Sequence, residues 1–458
     1  MTGRRWLVFA LLGLVAALTQ GCAGPAHVAD SAANGASVAI QTWRLDNGAR
    51  AYFVPAPGLP MVDIRVVFDA GSARDGDKPG LARLTNLMLE QGAGGDTADA
   101  LALRLESLGA QLRLSARRDT AVVDLRSLTD PALLEPALNT LATILTRPDF
   151  PQGAFERERQ RTMVALQDQA QSPSNLAQNA FYRGMYPGHP YAEPELGNEQ
   201  SVPTLRRGDV RGFHQRYYVG SNALNAIVGD LDRNAAEMLA QQVMGSLPAG
   251  EAAPPLPPAP ELGQPKTLRI AHPSQQTHIL VGQPGVARGD PDYFALYLGN
   301  HILGGSGFGS RVVYEVREQR GLSYSAYTYF SPMRVQGPFI MGLQTRTDQA
   351  TQAQDVLMST LRAFVEDGPT AKELRAAKDN ITGGWPLRVA SNRDIVGYIA
   401  AIGFYGLPLD YLDQFPKRIE ALTAEQVRDA FRRHVDAQRW LIVVVGNGEP
   451  GAGETRTQ

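Results

Sequence analysis

Apolar positions change period repeatedly along this chain. Val62-Asp-Ile64-Arg-Val66-Val-Phe68 alternates, the pattern of a strand buried on one face. After a turn-rich loop, Leu81, Leu84, Leu87 and Met88 recur at helical spacing, which predicts a helix from beyond Pro79 to Gly92. Before the strand, residues 43–54 read as a hairpin around Asn47-Gly48, a pair that favours a type I′ turn. After the helix come a second helix from Thr97 to Leu108 and strands over 111–115 and 120–128, paired around Arg117-Arg118-Asp119. Helices are predicted over 131–145, 153–171, 207–218 and 235–245, with a strand over 222–229 before the last.

The second half runs through similar elements. Strands are predicted over 278–282, 324–329 and 338–345. Helices are predicted over 292–303, 311–319, 351–366 and 370–378, and a final helix over 422–431 leads into the strand Trp440 to Gly446. Val210 and Val427 are 217 residues apart, and so are Gly229 and Gly446. A constant offset across a helix and the next strand indicates an internal duplication. Each copy mixes hairpins with helices and lacks strict strand–helix alternation. The expected class is therefore α+β, two homologous domains, each a largely antiparallel sheet flanked by helices. Between them, 250–267 is dense in Pro and Ala and reads as a semi-stiff linker. The domains then span 42–249 and 268–450, with a tail over 451–458.

Composition narrows the partners. A formal charge of -2 over 458 residues argues against nucleic acid. Arg4 and Arg5 precede a 13-residue apolar run, Trp6 to Leu18, too short to span a membrane comfortably. The run ends at Leu18-Thr-Gln-Gly-Cys22, and Cys22 is the one cysteine of the chain. Residues 1–22 resemble a bacterial lipoprotein signal in which Cys22 becomes acylated, although Thr19 stands where Leu is usual. Ordinary export with cleavage after Ala23 is the alternative. Residues 23–41 are small and polar, as in a flexible tether. The expected location is periplasmic, lipid-anchored to the outer membrane. No disulfide is available to an exported chain of this kind, so its core alone must hold it.

Several short signatures occur in order: Leu45-Asp-Asn-Gly48, Ala70-Gly-Ser72, His189-Pro-Tyr191, Leu303-Gly-Gly305 and Arg320-Gly-Leu-Ser-Tyr324. Through them, residues 42–448 resemble the pitrilysin/insulinase family of inverted-motif zinc peptidases, in layout nearest the small bacterial forms and the mitochondrial processing peptidase subunits. The resemblance implies two domains facing each other as a half clam-shell, with two such chains closing a chamber around an extended peptide.

The family's zinc site is His-x-x-Glu-His on the first helix plus a Glu on a later one. Here those positions fall on Arg83, Asn86, Leu87 and Ala165, the last seven residues after Glu158. The chain is therefore expected to bind no metal itself. None of its seven histidines stands four residues from another. The resemblance also implies an Arg and a Tyr seven residues apart that approach the substrate, and Arg317 and Tyr324 have that spacing. Guanidinium and phenol are suitable donors to a peptide carbonyl or to the oxyanion that replaces it. Gly304, Gly305, Gly307 and Gly309 resemble the glycine-rich loop with which the non-catalytic mitochondrial subunit handles substrate. The spacing and lysine of a phosphate loop are absent.

The chain thus reads as a non-catalytic subunit whose partner, a related chain, carries the zinc and the intact motif. Its substrate would be a peptide or unfolded polypeptide. A non-enzymatic structural or peptide-binding protein of the same fold is the alternative, and a self-sufficient peptidase with an unrecognised site is a third reading. Arg317 paired with Glu315 or Glu318 on a solvated helix is the bland account of that residue.

Overall fold

The structure, a computed structural model, describes residues 38–436 and 438–447. Cys22, the leader, most of the tether and the tail lie outside them. The first half contains β1 (Gln41–Arg44), β2 (Arg50–Pro55), β3 (Met61–Phe68), a small ribbon of β4 (Gly92–Ala93) and β5 (Asp96–Thr97), β6 (Gln111–Ala116), β7 (Ala121–Leu128) and β8 (Ala223–Gly229). The second contains β9 (Lys266–Ala271), β10 (Gln276–Pro284), β11 (Ala326–Phe330), β12 (Pro338–Arg346) and β13 (Leu441–Gly446). Strand β9 begins at Lys266, inside the stretch read as linker.

The six-stranded sheet runs β1-β2-β8-β3-β7-β6 and the five-stranded sheet β11-β12-β10-β13-β9. Moving 217 residues along the chain carries β2, β3, β6, β7 and β8 onto β9, β10, β11, β12 and β13 to within two residues at their starts. The two orders coincide once the edge strand β1 is set aside. In each sheet one pair is parallel, β2 with β8 and β9 with β13, and the other pairings are antiparallel. The helix Arg207–Tyr217 maps onto Ala424–His434 without a residue's shift. The fold is α+β and duplicated, as expected.

Three helices escaped the sequence reading, Pro173–Met185, Asn392–Tyr405 and Tyr411–Ala421, and the first two are counterparts. Both begin after a serine whose hydroxyl caps the first turn, Ser172 and Ser391. Their chief contacts are with the other half's sheet. Pro173–Met185 packs on β10 and β13, and Asn392–Tyr405 packs on β3 and β8. A single buried cluster joins Val54, Val67, Leu224 and Val228 of the first sheet to Val396 and Ile399 of the second half's helix. Gly403 permits this approach, since a Cβ there would lie 2.4 Å from Leu224 Cδ1.

The β6–β7 turn adds a polar joint. Buried Asp119 accepts hydrogen bonds from Tyr191 Oη (2.5 Å), Tyr405 Oη (3.0 Å) and the Arg334 backbone N–H (2.8 Å), the last two from the second half. Burial pushes both tyrosine hydroxyls up, and Asp119 raises them further, so they remain donors. The linker is fastened to the first half by Arg74 Nη1 to Pro254 O (2.7 Å) and His189 Nε2 with Pro257 O (3.0 Å). This gives His189 a structural role.

The first hairpin differs from the type I′ expectation. Gly48 N–H donates to Leu45 O at 2.9 Å, and only Gly48 has positive φ (88°), whereas type I′ needs it at Asn47 as well. Asn47 is instead committed to the C-terminal end of the helix Arg233–Met244 and the turn beyond it, with Nδ2 donating to Met244 O (2.7 Å) and Leu247 O (3.1 Å).

Candidate functional site

The helix that would carry a zinc motif spans Leu81–Met88 and is well anchored. Asp75 accepts from the Gly80 and Ala82 backbone N–H groups at 2.8 and 2.7 Å, satisfying donors that a helix start leaves open. Burial pushes the Asp75 carboxyl up to about 8, against the downward pull of those donors. Leu81, Leu84 and Met88 face the core. Asn86 is 1% exposed, with Nδ2 at 3.4 Å from both Val122 O and Tyr218 Oη, while its Oδ1 has no partner. Leu87 is half-buried.

Arg83 and Ala165 line one cavity of about 340 Å³, so the structure brings two of the four degenerate metal positions together. They offer a cation and a methyl group, and Asn86 and Leu87 offer an amide and an apolar chain. No imidazole or carboxylate ligand stands at any of the four, and zinc does not fit there. Nearby Glu158, buried on the helix Gln152–Ala170, is engaged by Arg161 at 2.6 Å. Among the described residues, one other group has metal-ligand geometry: Asp290, Asp292 and His434. Arg433 already spans Asp292 with bonds of 2.8 and 2.9 Å.

In the second half, the chain from Asp292 to Gln319 contains two π turns, His301–Gly305 and Tyr314–Glu318, irregularities that are frequent at functional sites. The second turn presents Arg317. Its guanidinium lies between two aromatic rings, 4.5 Å from the Phe308 centroid and 4.3 Å from that of Tyr324. Both rings face solvent, Phe308 at 67% and Tyr324 at 81% exposure. The bland pairing is not made: Glu315 binds Arg320 at 2.5 Å, and the Arg317 guanidinium has no carboxylate or carbonyl acceptor among the described residues. The structure thus unites Arg317, Tyr324 and the glycine-rich loop. The sequence reading had missed the residue that joins them, Phe308. An apolar ring set between loop glycines was the available signal.

The glycines divide into two kinds. A Cβ on Gly304 would lie 2.6 Å from Thr328 Oγ1, and one on Gly305 would lie 2.6 Å from Asn300 Nδ2, so both are fixed by packing. Gly307 holds a left-handed φ of 68° in open space, and Gly309 has room around it. These two let the loop carry Phe308 round to Arg317. Gly304→Ala is therefore expected to destabilise the purified chain by about 1–3 kcal/mol, the usual effect of overpacking, read as a lowered thermal midpoint. Gly309→Ala should melt close to wild type.

Below this cluster, the outer face of edge strand β11 carries Tyr327 and Tyr329, with ring centroids 5.9 Å apart and planes 22° from parallel. Burial raises the Tyr329 hydroxyl, with Tyr182 adding to the rise and Arg118 opposing it. No residue of the Arg317 cluster lines the Arg83 cavity.

Comparison with known proteins identifies the family. Residues 55–199 match the family model described as insulinase (peptidase family M16), and 204–381 match that described as peptidase M16 inactive domain. A crystal structure of a peptidase M16 inactive domain from Pseudomonas fluorescens is 40% identical, superposes with a TM-score of 0.87, and is matched over 91% of this chain and 100% of that one. The non-peptidase homolog YmxG of Helicobacter pylori is 26% identical over 85% of this chain and 90% of its own. The mitochondrial-processing peptidase subunit beta of Lentinula edodes is 22% identical over 88% and 89%. Duplicated sheets, family models over both halves and the 40% identical M16 inactive-domain structure lead to one assignment: the chain belongs to the insulinase peptidase family, M16, as a non-catalytic member that binds no cofactor of its own.

Proposed function

We propose that this chain is the non-catalytic subunit of an exported zinc endopeptidase and lends Arg317 and Tyr324 to the site of a related partner chain. The observation that carries the reading is the guanidinium of Arg317, which has no carboxylate or carbonyl acceptor among the described residues and is steadied between two exposed rings. Stacked in this way, the guanidinium keeps its N–H donors directed outward and loses little freedom on binding. Arg317 and Tyr324 would then donate to the carbonyl oxygen of the scissile peptide as negative charge develops on it. The kinship with a mitochondrial-processing peptidase subunit supports a peptidase partner. The substrate would be a peptide or unfolded polypeptide.

The test is co-expression with a related chain that keeps His-x-x-Glu-His. The purified pair should cleave an unfolded polypeptide, while neither chain alone does so appreciably. Cleavage by the partner alone at the rate of the pair would defeat the reading and favour a structural or peptide-binding role. The leader further supports anchoring at the periplasmic side of the outer membrane through Cys22. Cys22→Ser should release the protein from membranes and abolish labelling by a fatty-acid probe.

A further inference from the structure

We propose that the cavity at Arg83 and Ala165 is a receptor for a carboxylate carried by an extended peptide, either its C-terminus or an Asp or Glu side chain. Three guanidiniums line it, Arg83, Arg117 and Arg118, against one carboxylate, Glu195. Arg118 is already placed: its Nε donates to Tyr191 O at 3.2 Å, its Nη1 reaches Glu195 at 3.3 Å, and it stacks 3.5 Å over the Tyr182 ring. Arg117, at the rim, shares Glu195 at 3.6 Å. Glu195 is thereby occupied, and Arg83 is left over. Its Nε is buried without a hydrogen-bond partner, and its guanidinium makes no ion pair among the described residues.

A buried donor on a permanent cation calls for an acceptor, and a planar carboxylate matches the guanidinium fork. Gln169 and Gln178 on the walls offer further amide donors and bring no competing charge. The preference is therefore inverted relative to the metal site that the family builds from these positions: an anion is received where a cation would be held.

The test uses the purified chain without any partner, so its failure and that of the shared-site reading are separable. Fluorescein-labelled heptapeptides of Gly, Ser and Leu are titrated by fluorescence anisotropy in four forms: free C-terminal acid, C-terminal amide, amide with one internal Glu, and amide with Gln in its place. The acid form or the Glu form should bind roughly 10- to 100-fold tighter than its neutral counterpart, the range expected for a charged hydrogen-bonded pair. Whichever does so identifies the source of the carboxylate. Arg83→Gln should erase that preference, bringing the acid or Glu form to the affinity of its neutral counterpart. Arg83→Lys, which keeps the charge, should retain part of it. Raising salt from about 50 to about 500 mM should shrink the wild-type preference, a reading that needs no variant. Equal binding of all four forms, absence of binding, full preference in Arg83→Gln, or equally strong competition by inorganic phosphate would each overturn the proposal.

Discussion

Replacing Arg317 with alanine in the assembled pair is expected to lower kcat by roughly 10²–10³, the usual effect of removing one oxyanion donor, and to leave KM nearly unchanged. That split follows from the geometry. The guanidinium is already held by Phe308 and Tyr324 before substrate arrives, so it has little induced binding to add in the ground state. Its hydrogen bond strengthens as charge grows on the carbonyl oxygen, which raises kcat and not affinity. Tyr324→Phe separates the two roles of that ring: it still stacks on Arg317 but has no hydroxyl to donate. A comparable loss in Tyr324→Phe assigns the phenol to the reaction, whereas wild-type rates in both variants would sink the divided-site reading. Arg317→Lys should recover little, because an ammonium lacks the planar face that lies between the rings.

The second large effect concerns stability. Asp119→Ala is expected to cost about 3–5 kcal/mol, because it leaves Tyr191, Tyr405 and the Arg334 N–H without their acceptor inside a buried joint, at roughly 1–3 kcal/mol each before relaxation. Tyr405→Phe removes one of these bonds along with its donor and should cost only about 1 kcal/mol. The two changes share a partner, so their combination should cost less than their sum. Chemical unfolding of the four proteins measures this, and an Asp119→Ala midpoint equal to wild type would refute the joint. Because Tyr405 and Arg334 belong to the other half, the variant should also expose the half-to-half junction to protease before either sheet unfolds.

Much of this could be read from the residues. The 217-residue offset seen at Val210/Val427 and Gly229/Gly446 extends through both sheets, since duplicated strands retain their alternating faces. That Arg83, Asn86, Leu87 and Ala165 could not together hold zinc was legible because metal ligation admits few side-chain types. The two exchanged helices were harder to see. Phe181 and Ile399 satisfy apolar surfaces distant in sequence, so a local reading finds the face but no adjacent element to receive it. The missing signal at the first was Ser172-Pro173, a start sequence in its own right. The Asn47-Gly48 turn was misread for a related reason. Its amide is drawn to Met244 and Leu247, 197 and 200 residues away, and tertiary bonding overrides the dipeptide preference. Phe308 lies in a loop without periodicity, and only the position of Arg317 in space gives it meaning.

The reciprocal helices also bear on how the chain is made. During synthesis the first sheet is complete in sequence once β8 has emerged, but the helix that shields β3 and β8 is Asn392–Tyr405, close to the end. While residues 230–405 are being made, then, an apolar sheet face waits uncovered, and the first half cannot finish as an independent unit on its way out of the ribosome. Truncation anywhere before residue 392 should leave a product that needs a holding chaperone, however intact its own half of the sequence.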